Sequence, residues 1–244
     1  MVNITLKAEE LFSFMGFPVT NSLLLSTIVV AVLAGSALFL RSKLALIPGM
    51  LQNVFEIVIE GMLGIMDTIL GDRRTSEKYL PLVGTVFLFI LFSNWFGLLP
   101  GTGSIGFTEG HEFVPFLRSP GSDINFTLAL ALIAVVAVNI LAISVLGIRK
   151  HLSKFLNFKN PMYFFVGILE FISEFARVIS FAFRLFGNVF AGEVLLVIVA
   201  FLVPYIVPMP FMFLEIFVGF IQAFVFGMLT LVFIAISTAE VEAH

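Results

Sequence analysis

Apolar residues in this chain come in long runs, and the polar residues that interrupt them are few and ordered. The first run, residues 23–40 (LLLSTIVVAVLAGSALFL), carries no charge; Glu9 and Glu10 precede it, and Arg41 and Lys43 follow. A secretory signal has its basic residues in front, so this reads as a retained first span with residues 1–22 outside the membrane. Residues 80–99 and 124–148 predict a second and a third span. Between the first two, residues 47–70 differ. There Asn53, Glu56, Glu60 and Asp67 fall within about 60° of arc at ~100° per residue. That pattern predicts an amphipathic helix along the membrane surface rather than a span. Its acidic face either packs on a partner or is simply solvated.

The two final segments are too long for upright spans. Residues 162–203 contain no proline, and as one helix they would reach about 63 Å, twice the ~30 Å hydrocarbon thickness. They must tilt by about 60° or fold into a hairpin. Pro204, Pro208 and Pro210 predict a turn, and residues 211–239 form a second run of about 43 Å. The pair predicts a tilted hairpin with a surface suited to wrapping around something else in the bilayer. The fold class is therefore an all-α integral membrane protein, one membrane domain over residues 1–244. It has about five membrane-embedded helices plus one surface helix, the last two long and steeply tilted.

Polar residues in the first long segment form a stripe. With Glu170 at zero, Glu174, Arg177, Ser180, Arg184 and Asn188 all fall between about −80° and +40°. Glu193, nine residues beyond Arg184, points about 180° away from it. In the last segment Glu215 and Gln222, seven apart, share a face. Ionisable groups inside a membrane are costly and mark functional sites by default. Glu170, Glu174 and Arg177, near one membrane edge, either pair with one another or serve transport. Arg184 differs, because its helical neighbours Ser180, Phe181, Gly187 and Asn188 include no acid. Its counter-charge must come from elsewhere, another chain included. Asn94 and Asn139, inside spans two and three, read as helix–helix hydrogen bonders.

Composition narrows the class. Of 244 residues 60% are hydrophobic and 12% charged, with 31 phenylalanines, whereas soluble domains carry about 25% charged residues. The apolar runs lack the alternation of barrel strands. A net charge of −3 without a basic patch speaks against nucleic-acid binding. With no cysteine, disulfides and thiolate metal sites are excluded. His111, His151 and His244 have no ligand partners at helical spacing and read as solvent-exposed loop residues, so no metal or other cofactor is expected. Glycines in the loop 100–123 follow a membrane helix rather than a strand, which makes a phosphate-binding reading weak. Arg41, Lys43, Arg73, Arg74, Lys78, Arg149, Lys150, Lys154 and Lys159 fall on one side of the scheme and only Lys7 and Arg118 on the other. The positive-inside rule then places the N-terminus and the 100–123 loop outside and the C-terminus in the cytoplasm.

RLFGNVFAGE (residues 184–193), FVGFIQAFVFGMLTLVFIAIS (217–237) and LFSNWFGLLPG (91–101) closely resemble subunit a of the rotary F-type ATP synthases. The resemblance runs from the first span to the C-terminus. It implies a non-catalytic, proton-translocating stator subunit with two aqueous half-channels, its partners being the c-ring subunits, the subunit b peripheral stalk and the rest of the complex. Arg184 matches the family's essential arginine, which faces the carboxylate of each rotating c subunit. Asn188 and Gln222 match polar residues near it. Glu193 and Glu215 match the outer proton path, and Glu170 and Ser180 the cytoplasmic path, to whose stripe Glu174 and Arg177 belong. Some bacterial members carry a histidine where this chain has Glu215, so its outer path has two acids and no imidazole. Family resemblance favours a bacterial plasma membrane, with the mitochondrial inner membrane as the alternative.

Two other readings compete. A self-contained proton-coupled secondary transporter would show inverted repeats with matching broken helices, and no such symmetry is visible. A purely structural scaffold would have no use for Arg184 without a local partner.

Overall fold

A computed structural model of the chain describes residues 8–14, 16–45, 47–103, 105–109, 112–155, 161–204 and 206–239. Among them seven α-helices follow one another: α1 Asn21–Ser42, α2 Met50–Leu70, α3 Arg73–Gly97, α4 Ile124–Leu146, α5 Ile148–Phe155, α6 Pro161–Leu202 and α7 Pro208–Ala239. Five of these, α1, α3, α4, α6 and α7, are long and apolar enough to cross a membrane. The fold is thus an all-α membrane domain with the amphipathic α2 beside it. Two small antiparallel hairpins were not foreseen: β1 (Glu10–Phe14) with β2 (Phe17–Thr20), and β4 (Gly106–Glu109) with β5 (Glu112–Pro115), the second preceded by a short extended stretch β3 (Pro100–Gly103). Their few residues lie next to long apolar helices, so helical periodicity hides them.

Local chemistry sets the helix boundaries. Thr20, Asp72 and Asp123 cap α1, α3 and α4, each side chain accepting a backbone N–H of the first turn, which satisfies donors that have no intrahelical partner. At the α2–α3 corner Gly71 takes φ +76° and its N–H returns to the Asp67 carbonyl, a left-handed position open to glycine at little cost. The same corner uses the acidic face of α2. Arg73 reaches Glu60 at 2.8 Å and Asp67 at 3.0 Å, and Gln52 donates to Glu56 at 2.8 Å. Two of those acids therefore have a cation within the chain itself.

Helix α6 runs unbroken for 42 residues, so of the two options for this segment the single long helix holds. Helix α7 starts at Pro208 rather than 211, with Pro210 in its first turn. Both prolines are tolerated because the first helical N–H groups need no partner there.

The core lies between α3, α4, α6 and α7. Phe87, Ile90 and Leu91 of α3, Val135 of α4, Phe181, Leu185 and Val189 of α6 and Phe226 of α7 are buried in it. Ala131, Ala134, Ala182 and Ala223 are also fully or almost fully buried, the small-residue pattern that lets membrane helices approach closely. Phe181 stacks on Phe226 with centroids 4.4 Å apart. Asn94 donates to the Gly219 carbonyl of α7 at 3.2 Å, and Trp95 to Ile216 O at 3.1 Å. Asn139 donates to Val135 O within α4 at 3.0 Å and to Glu174 of α6 at 3.4 Å. Both asparagines thus bond between helices. One expectation is corrected: His151 is not an exposed loop histidine but is buried on α5, because that short helix packs back on α4 and α6. His111, His244, Lys7 and Lys159 lie outside the described residues.

Candidate functional site

Three groups of polar residues lie at successive heights along α6. The uppermost, towards the 100–123 loop, borders a cavity of about 540 Å³ enclosed by the C-terminal end of α3, the loop, α6 and α7. Glu193 of α6 and Glu215 of α7 both line it, together with Asn94 of α3 and Arg118 and Ser119 of the loop. Glu215 is buried to 9% exposure. Its carboxyl group lies directly against Gly192, where any added Cβ would fall within the carboxyl group itself. Glycine at 192 is what allows α7 to bring this acid up to α6.

Around that cavity several polar atoms are buried without a protein partner: Asn94 Oδ1, Ser119 Oγ and Glu193 Oε2. Buried polar groups are almost always hydrogen-bonded, by ordered water if not by protein. The cavity is lined mostly by apolar groups, with these polar residues grouped in one part of it, and its volume is enough for several waters. Arg118, 7% exposed, places Nε 3.5 Å from Glu193 Oε1 and donates to Ser122 Oγ at 3.0 Å. Sequence reasoning passed over Arg118 as one of two outside cations. Its signal was position: the sole Lys or Arg of the 100–123 loop, five residues before the N-cap Asp123.

Arg184 forms the middle group. Its Nη2 donates to Ser180 Oγ at 3.3 Å, while Nη1 is buried with no acceptor. No carboxylate among the described residues pairs with it. The side of α6 that carries Ser180, Gly187 and Asn188 is exposed, whereas Phe181, Ala182, Leu185 and Val189 face the core. Asn188 is exposed and Gln222 of α7 half-buried. Neither hydrogen-bonds within the described chain, so the geometry does not tie them to Arg184.

The lowest group is an ion cluster. Arg177 Nη1 lies 2.7 Å from Glu174 Oε1, and Nη2 lies 3.9 Å from Glu170. The guanidinium sits over the Phe233 ring of α7 at 4.4 Å, and Asn139 holds the other oxygen of Glu174. Glu174 and Arg177 are largely buried, but Glu170 keeps 40% exposure. Local pairing therefore accounts for Glu174 and Arg177, and leaves Glu170 the more accessible acid.

Comparison with known proteins gives a consistent answer. A profile of the family described as "ATP synthase A chain" matches residues 23–235. The chain is 38% identical over 221 residues to "ATP synthase subunit a 1" of Syntrophotalea carbinolica, covering 89% of this chain and 84% of that protein. It is 34% identical over 211 residues to "ATP synthase subunit a" of Campylobacter jejuni, covering 85% of each. With the Helicobacter pylori protein of that name it shares 37% identity over 206 residues, covering 83% of this chain and 82% of the relative.

Proposed function

The chain belongs to the ATP synthase A chain family and is a multi-pass component of the F-type ATP synthase complex; from that premise we propose that it is the non-catalytic stator subunit that couples proton flow to rotation of the c-ring. A ring carboxylate must be neutral while it faces lipid and ionised while it faces the stator, or charge would be carried through hydrocarbon. The observation that carries the reading is Arg184, a guanidinium with one buried nitrogen unmatched, on a side of α6 whose neighbouring residues Ser180, Gly187 and Asn188 are exposed among the described residues. A guanidinium cannot deprotonate at working pH. It therefore favours ionisation of each carboxylate that passes and repels cations that would leak directly between the two half-channels. Lysine, which loses its proton more readily when desolvated, should replace it poorly.

Protons reach the ring carboxylate from outside through the cavity that Glu193 and Glu215 line, its volume and its two acids supporting a water-filled path. They leave on the cytoplasmic side along the stripe of Ser180, Arg177, Glu174 and Glu170, with Asn188 and Gln222 as polar neighbours of Arg184. Glu170, the exposed acid of that stripe, is the group best able to exchange with bulk water. The Lys and Arg count supports the N-terminus outside and the C-terminus inside, and the bacterial relatives support a plasma-membrane location. Stalk subunit b and the c-ring are the partners this role requires.

The test is Arg184→Ala in the intact complex. Proton-driven ATP synthesis should vanish while the ring and stalk subunits still co-purify in normal amounts. Normal coupled synthesis in that variant would overturn the mechanism.

A further inference from the structure

We infer that Arg118 is a positioning residue of the outer path: it pairs with Glu193 and fixes the place of that carboxyl group beside the cavity. This rests on the proposed outer path through Glu193. Glu193 Oε1 lies 3.5 Å from Arg118 Nε, while Oε2 is buried without a protein donor beside the cavity. The carboxyl group is thus paired with a cation that never deprotonates, whose Nε–H is donated to Ser122 Oγ at 3.0 Å.

The loop that carries Arg118 is built to hold this distance. Pro120, Gly121 and Ser122 form a buried 3-10 turn, and Gly121 packs against the Val189 side chain, four residues and about one helical turn before Glu193. Ser119 lies against Gly97 at the end of α3. Asp123 caps α4 and accepts from Ser22 of α1 at 2.9 Å. Arg118 is therefore referenced to four helices, and the Val189 lock is one turn of α6 away from its partner.

Other charges face Glu193 too. Glu215 of α7 lines the same cavity, and two carboxylates sharing one space repel; the cation between loop and helix offsets that. Helix α3 presents the neutral Asn94 there. Asp123 is taken up by Ser22 and the Asn125 N–H. On α6 itself the closest cation is Arg184, on the opposite face.

The experiment uses the complete complex in membrane vesicles, with R118Q, R118K, E193Q and R118Q/E193Q compared for ATP-driven proton pumping at equal subunit content. The pH is varied separately on the loop side and on the opposite side. R118Q should lower the rate about fivefold, within the range for coupled neighbouring side chains, and shift the pH profile on the loop side alone. R118K should recover most of the rate and keep a smaller shift. The double variant should be no slower than the slower single one. A wild-type loop-side profile in R118Q, or a double variant slower by the product of the two single effects, would overturn the inference while leaving the outer path intact. Should R118Q not assemble, an unmoved profile in R118K overturns it. Wild-type pumping in E193Q removes the outer path itself, and the inference with it.

Discussion

The carboxyl group of Glu215 rests on the backbone of Gly192, so the acid of α7 and the acid of α6 that follows that glycine belong to one site although 22 positions separate Glu215 from Glu193. The contact depends on the absence of a single methyl group. G192A should push Glu215 out of place, at a cost of about 1–3 kcal/mol for overpacking, and lower proton conduction. Shortening the acid as well, in G192A/E215D, should restore part of the rate. Conduction unchanged in G192A would show that the contact has no consequence.

Acids on α2 and acids in the cavity should behave differently when neutralised. E193Q/E215Q removes both titrating groups of the outer cavity and should slow proton flow by roughly tenfold or more, the effect of 1.4 kcal/mol on a barrier. E56Q/E60Q neutralises the acceptor of Gln52 and one charged partner of Arg73 and should leave flow nearly unchanged. Measured side by side in vesicles, equal effects would refute the assignment of the outer path.

Arg177 is held by charge and by shape. R177K keeps the charge but loses the flat contact with Phe233, which should cost about 1 kcal/mol. R177Q should cost more, because Glu174 then lacks its nearest cation. Thermal loss of the subunit from the solubilised complex reads out the order wild type, Lys, Gln; a reversed order contradicts the packing described.

The α2–α3 corner should respond to acid. The Asp67 carboxyl is held below the usual range by the neighbouring Ser76 hydroxyl and by Arg73. Ser76 Oγ is engaged with the Asp72 carbonyl at 3.0 Å, so the Arg73 contact is the one that decides it. A depressed carboxylate contributes stability that is complete above its unfolded value and lost as pH falls through its folded value. Backbone exchange at residues 67–73 should therefore stay constant from neutral pH down to about 4, and rise below it. D67N should abolish that dependence.

Much of this was legible because lipid leaves so few options. Long apolar runs must be helices, so the five long helices and the amphipathic helix α2 follow from pattern alone. The stripe on α6 was equally readable, since 3.6-residue periodicity puts Ser180 and Arg184 on one face whatever surrounds them. What pattern could not supply was contact between distant segments. Arg118 lies 75 positions from Glu193, and nothing local says that the loop folds back onto α6. Asn94 could be expected to bond to another helix, but not that its acceptor would be Gly219. His151 misled because a basic run at a helix end reads as solvated, while packing of α5 on its neighbours buried it. The hairpins were missed for want of length.

Helix α6 is also a ruler. It has no break between Glu174 and Glu193, so the rise of ~1.5 Å per residue sets every axial spacing. Glu174 lies about 15 Å to one side of Arg184 and Glu193 about 13.5 Å to the other. In electrical terms the two proposed paths would be leads soldered to one bar, with Arg184 as an insulating post between them. On that reading the current closes only when something movable bridges a gap whose width the helix sets.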